Sequence, residues 1–198
     1  IKSNNKVVKY VDIPLQHVSN PILKKMNRKT SKKDIVNLIN RLRVEIPNII
    51  IRTTFIVGFP GEKDVHFQEL YDFIEEIKLD KLGVFTYSRE EGTPAYNYDL
   101  QVDEVVKHNR RNKLMELQQN ISYKLNQQRV GKSYLALVED IYEKGIYIGR
   151  TYMDSPDIDG IVYIHSNKEL MLGEYVYVNV TDCIEYDLIG EIVDELGK

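Results

Sequence analysis

Arg52-Thr53-Thr54-Phe55-Ile56-Val57-Gly58-Phe59-Pro60-Gly61-Glu62 is a β-branched, apolar run that closes in a Gly-x-Pro-Gly-Glu turn. Thr, Ile, Val and Phe fit a pleated, packed surface, so the run reads as a buried strand. Two glycines and a proline end it and lead directly into a helical pattern. In α/β folds the carboxyl end of a strand is where ligands bind. Gly58, Pro60 and Gly61 allow close backbone approach, and free N–H groups at the following helix start attract anions or polar ligand atoms. An ordinary strand-to-helix turn, with Glu62 satisfying the first helical turn, accounts for the same residues. The stretch alone leaves both readings open.

The flanking sequence alternates between strand and helix periods. Val7–Ile13 is a β-rich run ended by Pro14. Ser31 and Asp34 offer an N-cap with a carboxylate near a helix start, and Ile35, Leu38, Ile39, Leu42 and Ile46 follow at helical spacing until Pro47. Asn48 leads into the strand Ile49–Val57. Phe67, Leu70, Phe73, Ile74 and Ile77 mark a second amphipathic helix, and Leu82–Tyr87 a third strand, which ends in the loop Ser88–Pro94. A long helix is predicted from about Asp103 to Arg129, with Leu114, Leu117, Ile121 and Leu125 on its stripe and Gly131 closing it. This order predicts parallel strands with helical crossovers. Three such units are too few for a closed eight-stranded barrel, so residues 1–130 read as half of something larger. Its open strand edges would make it poorly soluble alone.

After Gly131 the period changes. Ser133–Tyr142, Gly145–Arg150, Gly160–His165, Glu174–Cys183 and Tyr186–Val193 are five short strand candidates, which predicts a small, partly open barrel of the OB type over residues 131–198. In its fourth strand Tyr175 and Tyr177 fall on one side, and Val176, Val178 and Val180 on the other.

The 198 residues are 42% hydrophobic and 29% charged, the composition of a globular chain. No apolar run approaches the roughly 20 residues of a membrane span, and nothing resembles a signal peptide. The expected compartment is the cytoplasm. Because the chain opens at Ile1 without Met, it is expected to be an N-terminally truncated piece. The net charge of −3 hides a division: residues 1–130 hold 22 basic and 16 acidic residues, a balance of +6, and residues 131–198 hold 5 and 14, a balance of −9. Two modules with different surroundings fit that asymmetry.

Further polar groups follow strand ends. Gln16 and His17 come just after the first strand, in Ile13-Pro14-Leu15-Gln16-His17. The third strand, Phe85-Thr86-Tyr87-Ser88, runs into Arg89-Glu90-Glu91-Gly92-Thr93-Pro94-Ala95. His17 reads either as a ligand contact or as a structural hydrogen bonder, and Arg52 as a contact or a surface charge. Met26-Asn27-Arg28-Lys29 is a basic loop, read alone as solvated. Cys183 sits in a valine-rich strand and reads as a buried, inert thiol. No His or Cys cluster has metal-ligand spacing, and there is neither a phosphate loop nor a Ser-His-Asp set. These residues point to binding rather than to the hard chemistry itself.

Asp12–His17, Arg52–Glu62, Tyr87-Ser88 with Glu90–Thr93 and Ala95, and Asp154-Ser155-Pro156-Asp157-Ile158-Asp159-Gly160 occur in an order that resembles the radical S-adenosylmethionine methylthiotransferases. The resemblance is strongest to the branch that modifies a ribosomal protein, and it covers nearly the whole chain. It implies that residues 1–130 are the C-terminal half of a radical-SAM partial (β/α) barrel and residues 131–198 an OB-like TRAM domain. It further implies methylthio transfer to the β-carbon of an aspartate in the twelfth small-subunit ribosomal protein, with S-adenosylmethionine and two [4Fe-4S] clusters. Carried onto this chain, Ile56, Gly58, Phe59, Pro60, Gly61 and Glu62 would line the adenosine region, and Gln16, His17 and Arg52 would be polar cofactor contacts. The family's Cys-x3-Cys-x2-Cys motif does not occur here, and Cys183 cannot replace it, so the chain by itself is expected to be inactive.

Sister enzymes of that family act on tRNA, whose phosphates need Lys and Arg partners. A balance of −9 over residues 131–198 opposes that role and suits a basic ribosomal protein, with Asp154, Asp157 and Asp159 as candidate substrate contacts. A tRNA-adenosine methylthiotransferase and a non-catalytic acidic OB-like binding module are the alternatives.

Overall fold

Three parallel strands, β1 (Tyr10–Asp12), β2 (Ile50–Val57) and β3 (Lys81–Thr86), lie side by side with β2 in the middle of the sheet. The computed structural model describes residues 1–193; the last five residues of the expected second domain, 194–198, lie outside the described residues. Asp12 pairs with Arg52, and Arg52 with Lys81, which sets the register across the sheet. Along β2, Ile51, Thr53, Phe55 and Val57 are buried while Arg52, Thr54 and Ile56 are half-exposed, so one face of the sheet carries the core. Thr53 earns its buried place by hydrogen bonding: its hydroxyl donates to Ile13 O at 2.7 Å and accepts from Leu15 N–H at 3.3 Å.

The crossovers are α1 (Asn20–Lys25), α2 (Lys32–Glu45) and α3 (Asp64–Ile77), followed after β3 by α4 (Glu104–Gln127). The Ser31–Asp34 cap is a full capping box, with Ser31 N–H donating to Asp34 Oδ2 at 2.9 Å and Asp34 N–H to Ser31 Oγ at 3.3 Å. In α3, Leu70, Phe73 and Ile74 are buried, and Phe73 meets Phe55 of β2 edge-on at 6.2 Å between centroids.

Among the first strand and the helices, three expectations need correction. β1 is only three residues long, because Val7 and Val8 are exposed and outside the sheet. On α2 the buried residues are Ile35 and Ile39, while Leu38 is exposed. The buried stripe of α4 is rotated from the leucine stripe and runs through Lys107, Arg110, Leu114, Gln118 and Ile121. Its polar members are buried because each satisfies a backbone carbonyl, with Gln118 Nε2 donating to Leu79 O at 3.0 Å.

The chain divides into two compact units, Ile1–Asn5 with Tyr10–Ile121, and Lys6–Lys9 with residues from Ser122 onward. In the second unit β4 (Ser133–Glu143), β5 (Ile146–Thr151), β6 (Val162–His165), β7 (Tyr175–Cys183) and β8 (Leu188–Ile192) form a barrel in the order β4-β5-β6-β8-β7. Pairing of β4 with β7, from Ser133–Asn179 to Leu137–Tyr175, closes it, so the barrel is closed rather than partly open. Ala136, Val138, Val162, Ile164, Val178, Val180 and Leu188 fill it, while Tyr175 and Tyr177 face outward. Among the described residues no helix is long and apolar enough to cross a membrane.

Candidate functional site

The loops at the carboxyl ends of the three parallel strands surround a cavity of about 770 Å³. Gln16 lies beyond β1, Ile56 and Phe59 at the end of β2, and Thr86, Tyr87 and Ser88 at the end of β3; Pro94, Ala95 and Tyr98 complete one wall, and Lys24 to Arg28 another. Gln16 adopts a left-handed backbone, φ 69°, that lets its N–H donate to Thr54 O and its carbonyl accept from Ile56 N–H, both at 2.8 Å. These bonds extend the β1–β2 pairing past Pro14 and present Gln16 to the cavity. Phe59 stacks edge-on against Tyr87 at 5.1 Å and Tyr98 at 6.2 Å. The Tyr87 hydroxyl is buried and has no hydrogen-bond partner among the described residues. Burial pushes its phenol above the usual range, so the group stays a hydrogen-bond donor.

The Gly-x-Pro-Gly-Glu turn is held from beneath by one carboxylate. Glu62, whose side chain is fully buried, accepts from Gly58 N–H at 2.7 Å through Oε2 and from Arg110 Nη1 at 2.9 Å through Oε1. Arg110 also donates to Glu62 O at 3.2 Å and to Asp64 Oδ1 at 2.7 Å, with its guanidinium 5.5 Å from the Phe67 ring centroid. His17, fully buried, accepts from Ser19 N–H at 2.9 Å through Nδ1, which leaves Nε2 to carry the ring proton 3.7 Å from Glu62 Oε2. Gly61 N–H donates to Leu100 O at 2.8 Å.

Both glycines are required. Gly58 has φ +74°, and a Cβ there would stand 2.2 Å from Lys107 Cγ. Lys107, buried, crosses that gap to donate to Tyr87 O at 3.0 Å and to Glu104 Oε1 at 2.6 Å. Gly61 has φ +83°, and its missing Cβ makes room for Lys25 Nζ, which would be 2.1 Å away.

Of the candidate residues, Gln16 and Ile56 line the cavity. His17, Gly58, Pro60, Gly61 and Glu62 gather in the buried turn and its support. Arg52 stands five residues before the strand end and donates to Asp12 Oδ2 at 2.5 Å. In the barrel unit, Asp154 is buried and accepts from Thr151 Oγ1 at 3.0 Å, Asp159 accepts from Ser155 N–H at 2.9 Å, and Asp157 is exposed with φ 61°. Sequence reasoning missed Lys107, Arg110 and Tyr98. A signal for the first two existed: Lys107 lies two turns and Arg110 one turn before Leu114 on the buried stripe, where a charge needs a partner.

His66, three residues into α3, accepts from Lys63 N–H at 3.1 Å through Nδ1. Burial, then the neighbouring His17, holds its pKa below the 6.5 of a free imidazole. The unfolded chain therefore binds the proton more readily, so this contribution to stability is full above about pH 6.5 and is lost as pH falls through the lowered value. A His66→Gln variant should show a flatter stability profile across that window in urea unfolding, and ring-proton NMR should give His66 the depressed titration.

Residues 1–74 match the model of the "Radical SAM superfamily", and residues 130–193 that of the "TRAM domain". Relatives named "Ribosomal protein uS12 methylthiotransferase RimO" align over the whole chain or nearly so. The one from Acetivibrio thermocellus is 52% identical over 199 residues, covering 100% of this chain and 44% of its own length. That from Thermoanaerobacter is 52% identical over 191 residues, 96% of this chain and 43% of its own, and that from Clostridioides difficile 51% identical over 197, with 100% and 44% covered. The chain thus spans a little under half the length of these relatives. A parallel sheet with its cavity at the strand ends, a five-stranded closed barrel after it in sequence, and this level of identity agree: the chain carries a radical-SAM segment and a TRAM domain, and over its whole length it is similar to the radical-SAM methylthiotransferases.

Proposed function

We propose that the chain supplies the cofactor-holding half-barrel, residues 1–130, and the TRAM domain, residues 131–198, of an enzyme that adds a methylthio group to the β-carbon of an aspartate in ribosomal protein uS12. The observation that carries this reading is the cavity at the strand ends. Its volume of about 770 Å³ suits a small-molecule cofactor, for which sites run roughly 300–1,000 Å³. Apolar Ile56 and the Phe59, Tyr87 and Tyr98 rings suit an adenine, and the orphaned Tyr87 hydroxyl and Gln16 offer it polar partners. S-adenosylmethionine, when bound, supplies the methyl group and the source of the radical.

This chain's residues bind and orient. Gln16 and Ile56 make direct contacts; His17, Gly58, Pro60, Gly61 and Glu62 act by fixing the turn that shapes the wall, and Arg52 through its ion pair with Asp12. A [4Fe-4S] cluster does not fit the residues present. Cys183 is the single cysteine, burial and then Asp182 push its thiol up, and among the described residues no group of three or more His, Cys, Asp or Glu can hold a metal ion. The chain alone is proposed to be inactive.

The acidic balance of residues 131–198 supports a basic protein partner over tRNA, and a ribosomal-protein substrate would place the enzyme in the cytoplasm. Asp157 offers its carboxylate to that partner, while Asp154 and Asp159 hold the loop that presents it. Intact-mass analysis of uS12 from source cells with and without the gene tests the reading. The methylthio mass increment should vanish on deletion, and its persistence, or its loss from tRNA adenosine instead, would contradict the proposal.

A further inference from the structure

The same cavity has a strongly one-sided charge. Lys24, Lys25 and Arg28 line it, and among the described residues no lining side chain is acidic, in a chain with 30 Asp and Glu. The three cations are gathered by the end of α1. Asn27 takes φ 57°, Arg28 N–H donates back to Leu23 O at 2.8 Å, and Met26 N–H to Ile22 O at 2.8 Å. Ile22 and Leu23, both fully or almost fully buried, anchor that turn. Lys25 Nζ is parked over Gly61, 3.4 Å from Pro60 O, a long contact that leaves its other donors unspent. No carboxylate of the described residues engages Lys24 or Arg28.

We propose that Lys24, Lys25 and Arg28 form a carboxylate-recognising rim that seats the side chain of the target aspartate and so selects an acidic residue as substrate. The inference rests on the methylthiotransferase reading and adds to it the residues that choose the substrate. An aspartate carboxylate is bonded directly to the β-carbon, so fixing it on a forked guanidinium and two ammonium groups fixes the carbon to be modified within one bond. Apolar Ile56, Phe59 and Tyr98 line the same cavity, and their low polarity strengthens that attraction. A neutral residue or a nucleoside would leave the rim without an anionic partner, which is how a polar site rejects the wrong ligand.

The test is NMR titration of the isotopically labelled 198-residue chain with N-acetyl-aspartate amide, N-acetyl-asparagine amide and S-adenosylhomocysteine. Arg28 Nε–H and Lys24 signals should respond to the aspartate probe with at least roughly tenfold higher affinity than to the asparagine probe. The double variant Lys24→Gln, Arg28→Gln, both exposed positions, should lose that preference with an unchanged circular dichroism spectrum. Equal responses to the two amino-acid probes would overturn the rim. So would a rim response to S-adenosylhomocysteine alone, which would assign these cations to the cofactor's carboxylate and leave the methylthiotransferase reading standing. An aspartate-selective response without S-adenosylhomocysteine binding would support the rim and count against the cofactor reading.

Discussion

Replacing Glu62 by alanine should destabilise the first unit by about 3 kcal/mol, near the lower end of what breaking a buried ion pair costs. The loss has two parts. Arg110, with its side chain 8% exposed, would keep the backbone carbonyl of residue 62 but, as a charged partner, only Asp64, whose side chain is 98% exposed and therefore weakly attracting and solvated. Gly58 N–H would lose its buried acceptor. Urea unfolding should show a lower midpoint with little change in slope. Because both groups share one carboxylate, Arg110→Ala and Glu62→Ala should be far from additive, and the double variant should be little worse than either alone. A loss below about 0.5 kcal/mol, as for an ordinary surface substitution, would mean that Glu62 does not hold the turn.

The second large effect should come from Gly58. An alanine there meets two penalties, a left-handed φ of +74° and a Cβ 2.2 Å from Lys107 Cγ. Strain contributes roughly 1–3 kcal/mol and overpacking a similar amount. Lys107 cannot move aside freely, because its ammonium is tied to Tyr87 O and Glu104 across the cavity wall. Gly61→Ala is the control: its φ of +83° carries strain, but the atom it displaces is the end of the flexible Lys25 side chain. Gly58→Ala should therefore lower the thermal midpoint distinctly more than Gly61→Ala, and equal shifts would contradict the packing described for Lys107.

Much of this architecture was legible because it is local. The β-branched run of β2 and the Ser31–Asp34 cap carry their own signals, and turn glycines announce positive φ. Tyr175 and Tyr177 alternate with the barrel valines, as a half-buried strand requires. The rest depends on partners distant in sequence. Leu117 and Leu125 made a better-looking stripe than the one α4 buries, since the stripe's polar members become acceptable only when Glu62, Tyr87 O and Leu79 O are in place. Closure of the barrel rests on pairing Leu137 with Tyr175, across 38 residues, which periodicity does not encode. In the candidate site, Glu62 was legible as a member of the turn but not as a ligand to Arg110, 48 residues away. Met26–Lys29 read as a solvated loop, whereas the end of α1 brings Met26, Asn27 and Arg28 to the cavity.

The central claim is that the cavity at the strand ends holds S-adenosylmethionine. Its most direct test is calorimetric and NMR titration of the chain with S-adenosylhomocysteine, beside an Ile56→Asp variant that puts a charge on the apolar wall. The expected result is saturable binding with shifts confined to Gln16, Ile56, Phe59 and Tyr87, weakened at least tenfold by the substitution. Absence of binding, or shifts mapping to the barrel unit with the cavity silent, would contradict it.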